Sequence, residues 1–527
     1  MADFVIRNAT VIDGTGKEEF RADLAFENGR ISRIGKIEGR GGLDAEGLTA
    51  CPGFIDMHTH MDLVLLKDEI PDAKIRQGVT TDLLGQDGLG TAPVSEKNKP
   101  LLMEILSGLN GILPPEKWTW GSFGDYLRAL ERHGLAGNAA VLLSQGPVRI
   151  EVMGMDERQA TPEELAAMKR LVAEGMEEGA FGLSSGLIYP PCPYADSEEL
   201  TELNRVTAKY DGVFVVHQRD EGYYLSRSFD EVCSICAASG ARLHVSHLQA
   251  YGRVNWPVMD EVLKKADQRL AAGQKITWDR YPYLAGCTTL TAVLPVWTFN
   301  EGTEALIKNL MAPEYRARIH EEFTKGLDVW HNRQISVGWD KILVTAVQLE
   351  KNRWMEGQSC QAIADAQGKN PIDAVCDLLA EEKLAVTMIS FYGSDEVLQK
   401  VLSHPQATVG SDGIYGGRPH PRLYGTYPKF LKEFALTKHV FTLPEAVRRV
   451  TSFPASILGL KDRGVLKEGN QADVVLFDPR RLADTATYDE PERYPEGIPW
   501  VFVNGEMVVD ESGYTGKTPG KVLRRGK

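Results

Sequence analysis

The sequence predicts an α/β protein: a (β/α)8 TIM-like barrel with a small β-sandwich domain built from both chain termini. Three observations carry that prediction. Through the middle of the chain, short apolar strands alternate with amphipathic helices, the pattern of βα units around a parallel sheet. Polar residues suited to metal binding fall at the ends of several of those strands. Strand-like alternation also fills both ends of the chain.

Residues 1–52 read as β. Phe4-Val-Ile, Thr10-Val-Ile and Asp23-Leu-Ala-Phe alternate, and Asn28-Gly29 marks a hairpin turn. Residues 459–527 repeat the style, with a strand at Ala472–Phe477 and a hairpin around Asn504-Gly505. Between them, 53–458 forms the barrel. Its strand candidates are Gly53–His60, Val79–Leu84, Asn138–Leu143, Ala180–Ser184, Val213–His217, Arg242–His247, Ile276–Tyr281 and Ala407–Ser411. The clearest helix starts at Thr161-Pro162-Glu163-Glu164, a capping box with proline at the first helical position. Ser197-Glu-Glu-Leu opens another. Residues 285–385 are too long for one connection and read as an insertion, a lid candidate, before the last strand. Leu384–Ser390 competes with Ile276–Tyr281 for strand seven. Leu101–Trp120 reads as an irregular loop.

The 527 residues are 43% apolar and 25% charged, ordinary globular values. A net charge of −14 offers no basic surface for nucleic acid or an anionic membrane. Only the tail (Lys521, Arg524, Arg525, Lys527) is basic, and it is expected to be solvated. The first residues alternate like a strand and carry no secretory pattern. Seven scattered cysteines suit a reducing, cytoplasmic setting, with Cys233 and Cys236 packed in a helix core. The expected partner is a small molecule, with a homo-oligomer left open.

His58 and His60 end the first barrel strand at i, i+2, so both imidazoles share a face. His217 and His247 end later strands, and Asp412 follows the last. In a barrel, C-terminal strand ends share one face, where catalytic groups gather. Four histidines and one aspartate there suit one or two divalent metals. His244 points to the opposite strand face and reads as structural.

These motifs resemble the amidohydrolase superfamily. Gln77-Gly-Val-Thr-Thr, His217-Gln-Arg-Asp-Glu221, Val245-Ser-His247, Tyr281-Pro-Tyr283, Gly410-Ser-Asp412-Gly and Pro419-His-Pro-Arg422 are similar to the N-acyl-D-amino-acid deacylase (D-aminoacylase) family in particular. The resemblance implies Zn2+, one or two ions. His58, His60 and His247 would surround one position, and His217 would hold the other. Where the family has a ligand cysteine after strand two, this chain has Asp87. Asp412 would be the general base and acid. Arg422 would bind the substrate carboxylate with Tyr281 or Tyr283, and the family's assisting lysine is here Gln249.

Arg219 and Glu221 are expected to pair structurally near the mouth. Trp118, Trp120, Tyr189, Tyr194 and Trp297 either line an acyl pocket or anchor loops. The resulting expectation is metal-dependent hydrolysis of N-acyl-D-amino acids, the D series resting on resemblance alone. Gln249 keeps open a hydrolase of a cyclic, carbamoyl or non-carboxylate amide. The remaining rival is a non-catalytic barrel scaffold, which the intact ligand set opposes.

Overall fold

The structure, a computed structural model, describes residues 3–39, 41–107, 109–299, 302–325 and 333–526. Parallel strands form where the apolar runs place them: β1 (Phe54–Asp56), β2 (Val79–Leu84), β3 (Asn138–Val141, resuming at Leu143–Ser144) and β4 (Gly182–Gly186). They continue as β5 (Val213–His217), β6 (Arg242–Val245), β7 (Ile276–Asp279) and β8 (Ala407–Thr408). Each pairs in parallel with the next. Beyond β8, Gly413–Ile414 lies parallel to Thr59–His60, just past β1. β5 (VFVVH) is buried at every residue, as expected for a parallel strand covered on both faces.

Local signals set the helices between strands. At Pro162–Glu178, the Thr161 hydroxyl accepts from the Glu164 N–H while the Glu164 carboxylate accepts from the Thr161 N–H. Met168, Val172 and Met176 form its buried stripe. Helix Ser197–Lys209 is capped by Asp196, one residue ahead of the serine.

The insertion builds a sheet of its own and runs past residue 385 to Tyr392. Ala285–Thr289, Thr387–Phe391 and Ile342–Ala346 pair antiparallel, over a core that includes Leu306, Val344, Leu379 and Met388. The Leu384–Ser390 run therefore belongs to this sheet, and β7, paired between β6 and β8, is the seventh parallel strand. The stretch after β2 is more regular than expected, with a helix at Lys99–Leu106. Trp118 and Trp120 are buried there and stack with ring centroids 4.9 Å apart, which makes them packing anchors.

Both chain ends join one nine-stranded sheet, in which Thr49–Pro52 lies between Phe4–Val11 and Val474–Phe477. Alternation divides its faces. Val474 and Leu476 pack with Ile6, Leu24, Phe26 and Phe502. Val475 and Phe477 pack with Tyr427, Phe430 and Ala446, toward the helices around the parallel strands. The basic tail is not simply solvated. The Ala139 N–H donates to the Lys521 carbonyl (2.9 Å), Arg525 pairs with Asp211 (2.6 Å), and Arg524 pairs with Glu131. All seven cysteines are buried and unpaired, Cys233 and Cys236 among them. Among the described residues no helix is long and apolar enough to cross a membrane.

Candidate metal centre

The parallel strands deliver their polar ends to one place. His58 and His60 follow β1, Asp87 sits in the turn after β2, His217 closes β5, His247 lies just past β6, and Asp412 follows β8. All are buried. Three of them hold left-handed backbone that non-glycine residues seldom adopt: φ is 55° at Asp87, 32° at His247 and 50° at Asp412. Such residues cost about 1–3 kcal/mol each and persist where surrounding bonds fix them. Here the Asp412 N–H donates to the His58 carbonyl (2.7 Å), and the His247 N–H donates to Asp279 Oδ1 (3.0 Å).

Asp87 occupies the middle. Its Oδ2 lies 3.6 Å from both His58 Nε2 and His60 Nε2, 3.7 Å from His217 Nδ1 and 3.9 Å from His247 Nε2. One carboxylate thus stands between two histidine pairs. Ligand atoms of His58, His60 and Asp87 lie within 4.8 Å of one another, as do those of Asp87, His217 and His247. Asp412 Oδ1 faces the first pair, 3.4 Å from His60 Nε2 and 3.7 Å from His58 Nε2.

These residues fit a zinc-like ion. Bonds of about 2.0–2.1 Å at tetrahedral angles set ligand atoms roughly 3.3–3.4 Å apart, slightly inside the separations seen here. His58 Nε2 and Asp87 Oδ1 are buried with no hydrogen-bond partner among the described residues. Charge in the cluster is balanced against burial. Burial disfavours the Asp412 carboxylate, yet Arg422 and the neighbouring histidines hold it well below the usual range. Burial works against a charged His58, but Asp87 and Asp412 outweigh it and lift the imidazole to about 10.

An amidohydrolase family model matches residues 42–509 of this chain. The chain belongs to the amidohydrolase family. It is 32% identical to a D-aminoacylase of Alcaligenes xylosoxydans xylosoxydans, across 99% of this chain and 98% of that one. It is 31% identical to an N-acyl-D-aspartate deacylase of the same organism, across 100% and 95%. The solved structure of an N-acyl-D-glutamate deacylase from Bordetella bronchiseptica, complexed with zinc and a phosphonate inhibitor, aligns with a TM-score of 0.84. It is 30% identical, with 99% of each chain covered. Within the family, the chain sits among the N-acyl-D-amino-acid deacylases.

Around the centre, this amidohydrolase carries two more carboxylates: Glu221, which the sequence pairs with Arg219, and Asp279, to which the sequence gives no role. Glu221 Oε1 lies 3.0 Å from His247 Nδ1, and Glu221 Oε2 accepts from Gln249 Nε2 at 2.7 Å. Burial raises the Glu221 carboxyl, but His217 and His247 prevail and bring it down to about 2. The expected Arg219–Glu221 pair does not form, because Arg219 turns to Glu231 at 3.0 Å. Asp279, at the end of β7, lies 3.7 Å from His58 Nδ1 and 3.1 Å from His244 Nε2. His244 accordingly stays outside the centre, as its strand face predicts. The signals for these two positions were place in the chain alone: Glu221 is four residues past His217, and Asp279 closes a strand.

The residues expected to bind a substrate carboxylate divide. Tyr281 and Gln249 line the amidohydrolase's metal cavity, a space of about 30 Å³. The Tyr281 hydroxyl lies 3.1 Å from Gln249 Oε1 and 2.5 Å from the Tyr392 hydroxyl. Arg422 is fully buried behind the carboxylate it serves. Its Nη1 is 3.0 Å from Asp412 Oδ2, and its Nη2 donates to the Cys287 carbonyl at 3.0 Å. Tyr283 lies off the cavity wall, its ring packed edge-on against His420 at 5.2 Å. Of the loop aromatics, Tyr189 is on the wall, while Trp297 packs against Tyr315.

Proposed function

We propose that this amidohydrolase hydrolyses the amide bond of N-acyl-D-amino acids at a centre of one or two zinc ions. The observation that carries this reading is Asp87 standing between two histidine pairs with Asp412 facing one of them. His58, His60 and Asp87 would hold one ion, and Asp87, His217 and His247 the other. Asp87 takes the place of the family's cysteine with a harder, two-oxygen ligand that can serve both positions. The D series follows the substrates named for the relatives.

When bound, such an ion lowers the pKa of water and polarises the amide carbonyl. Asp412 Oδ1 takes the proton from the attacking water and returns it to the departing amine nitrogen. Arg422, on the other oxygen, keeps that carboxylate ionised. Glu221 holds His247 by its far nitrogen and so fixes which nitrogen faces the centre. Asp279 does the same for His58. Tyr281 and Gln249 face the substrate.

The parallel strands close as a (β/α)8 barrel over 53–458, with the insertion before β8, and the parallel match of Gly413–Ile414 to Thr59–His60 supports closure. The terminal segments 1–52 and 459–527 form a small β-sandwich beside it, supported by the apolar cluster shared between Phe26, Leu476 and Phe502. A second reading, an amidohydrolase of a cyclic or non-carboxylate amide, draws on Gln249, whose amide is already engaged by Glu221 and Tyr281.

The test is metal content of the purified protein together with hydrolysis of paired N-acetyl-D- and N-acetyl-L-amino acids. Zinc with release of free amino acid from the D series is expected. Zinc with no release from either series would overturn the reading in favour of other amides.

A further inference from the structure

The metal cavity borders a far larger one, about 990 Å³, and the two share Tyr189 and Arg333 as walls. Arg333 comes from the insertion, at the start of helix Arg333–Val337, and is buried. Its guanidinium lies 4.4 Å over the Tyr251 ring, which stacks at 4.5 Å on Tyr392. Tyr392 in turn hydrogen-bonds Gln249. An aromatic stack therefore sets this arginine beside the position where the family lysine is missing. Among the described residues lining the metal cavity, Arg333 is the one Lys or Arg.

Two further facts narrow its role. The metal cavity holds about 30 Å³, room for little beyond a water or a small acyl group. The room for the rest of a substrate lies in the larger cavity, which adjoins the metal cavity at Tyr189 and Arg333. The acidic neighbours of Arg333 are already engaged: Asp412 by Arg422, Glu221 by His247 and Gln249, and Asp220 by the Gly222 and Tyr224 N–H groups, which donate to its Oδ1. In the larger cavity, Leu187, Ile188, Ala292, Leu294 and Phe299 supply apolar wall. The carboxylates of its far side, Asp230 and Glu231, are paired with Lys265 and Arg219.

We propose that Arg333 holds the carboxylate of the N-acyl amino acid and that the larger cavity receives its side chain, so that the enzyme favours short acyl groups and large apolar side chains. A guanidinium can take a carboxylate through two parallel hydrogen bonds. This rests on the deacylase reading given above.

The test compares wild type, Arg333→Gln, Arg333→Lys and Ala292→Trp. Each is assayed on N-acetyl-D-amino acids from alanine to phenylalanine, on their α-carboxamides and on longer N-acyl chains, with zinc content measured throughout. Arg333→Gln should keep its zinc and lose about 10- to 100-fold in kcat/KM on the acids, through KM, with the preference for acid over carboxamide collapsing. Arg333→Lys should recover part of that preference. Ala292→Trp should move selectivity toward small side chains. Arg333→Gln retaining the wild-type preference for acids would overturn the carboxylate assignment. A wild type that favours long acyl chains on small amino acids would overturn the cavity assignment. Zinc-loaded wild type that cleaves no N-acyl amino acid would instead remove the deacylase reading, and this inference with it.

Discussion

The metal centre and the insertion are built on opposite plans. The centre takes one or two side chains from each of several parallel strands, so its geometry is that of the sheet. Its histidines and carboxylates approach one another within 4 Å, and its cavity is small, about 30 Å³. The insertion has its own sheet and apolar core, and it touches the centre through a few side chains, including Met388, Ser390 and Tyr392. The difference teaches where each property resides. On the proposed function, reaction chemistry sits on the parallel strands, and the proposed choice of substrate sits on the insertion.

Substitutions can sharpen or break that division. The largest effect is expected from Asp412→Asn, which should keep zinc and cost about 10²- to 10⁴-fold in kcat on every substrate alike. A loss confined to some substrates would move Asp412 out of the chemistry. Asp87→Ala should reduce bound zinc, read by metal analysis; full zinc at wild-type rate would return Asp87 to a turn residue. Glu221→Ala should cost about 10- to 100-fold in metal affinity or activity through a loosened His247. An unchanged zinc titration would count against that support. On the other side, Leu379→Ala in the insertion core should cost about 2–5 kcal/mol of local stability. Hydrogen exchange should show the loss confined to the insertion, with zinc content intact. Zinc lost along with it would mean the two regions are one cooperative unit.

The smallest effect lies outside both regions. Hydrogen bonding to Arg158 first, and to the Thr161 N–H next, lowers the half-buried Glu164 carboxyl from 4.5 to about 2. A depressed acid contributes stability above its unfolded value that disappears as pH falls through the folded one. Melting curves should therefore lose a small increment between pH 4.5 and 2, and Glu164→Gln should flatten that slope.

The centre was legible in the sequence because strand period and strand ends are local facts. An i, i+2 histidine pair after an apolar run declares its face, and repeated strand ends declare a common rim. Asp279 and Glu221 escaped because a single carboxylate at a strand end or in a loop looks like any solvated charge until its partner is known. Glu221 was matched to Arg219 by proximity in the chain, whereas folding brings Glu231 to Arg219 and His247 to Glu221. The run at Leu384–Ser390 was ambiguous for another reason: a short apolar stretch has the same pattern in a parallel and an antiparallel sheet. Arg333 belongs to no motif, and its position depends on how the insertion folds over Tyr251, which periodicity does not encode.

The terminal sheet carries a consequence for how the chain is made. Strand Thr49–Pro52, directly ahead of β1, is flanked on one side by Val474–Phe477. On a ribosome, the first strands emerge with one edge bare until almost the whole chain has followed. An unpaired edge is a template for other chains, and pairing across so long a separation is slow. The parallel strands and their helices can gather as they emerge, but the sheet can close only after release of the C-terminal hairpin. Synthesis at high level should thus be limited by that wait, and a chaperone that shields the N-terminal strands should raise the yield of folded protein more than any change near the metal centre.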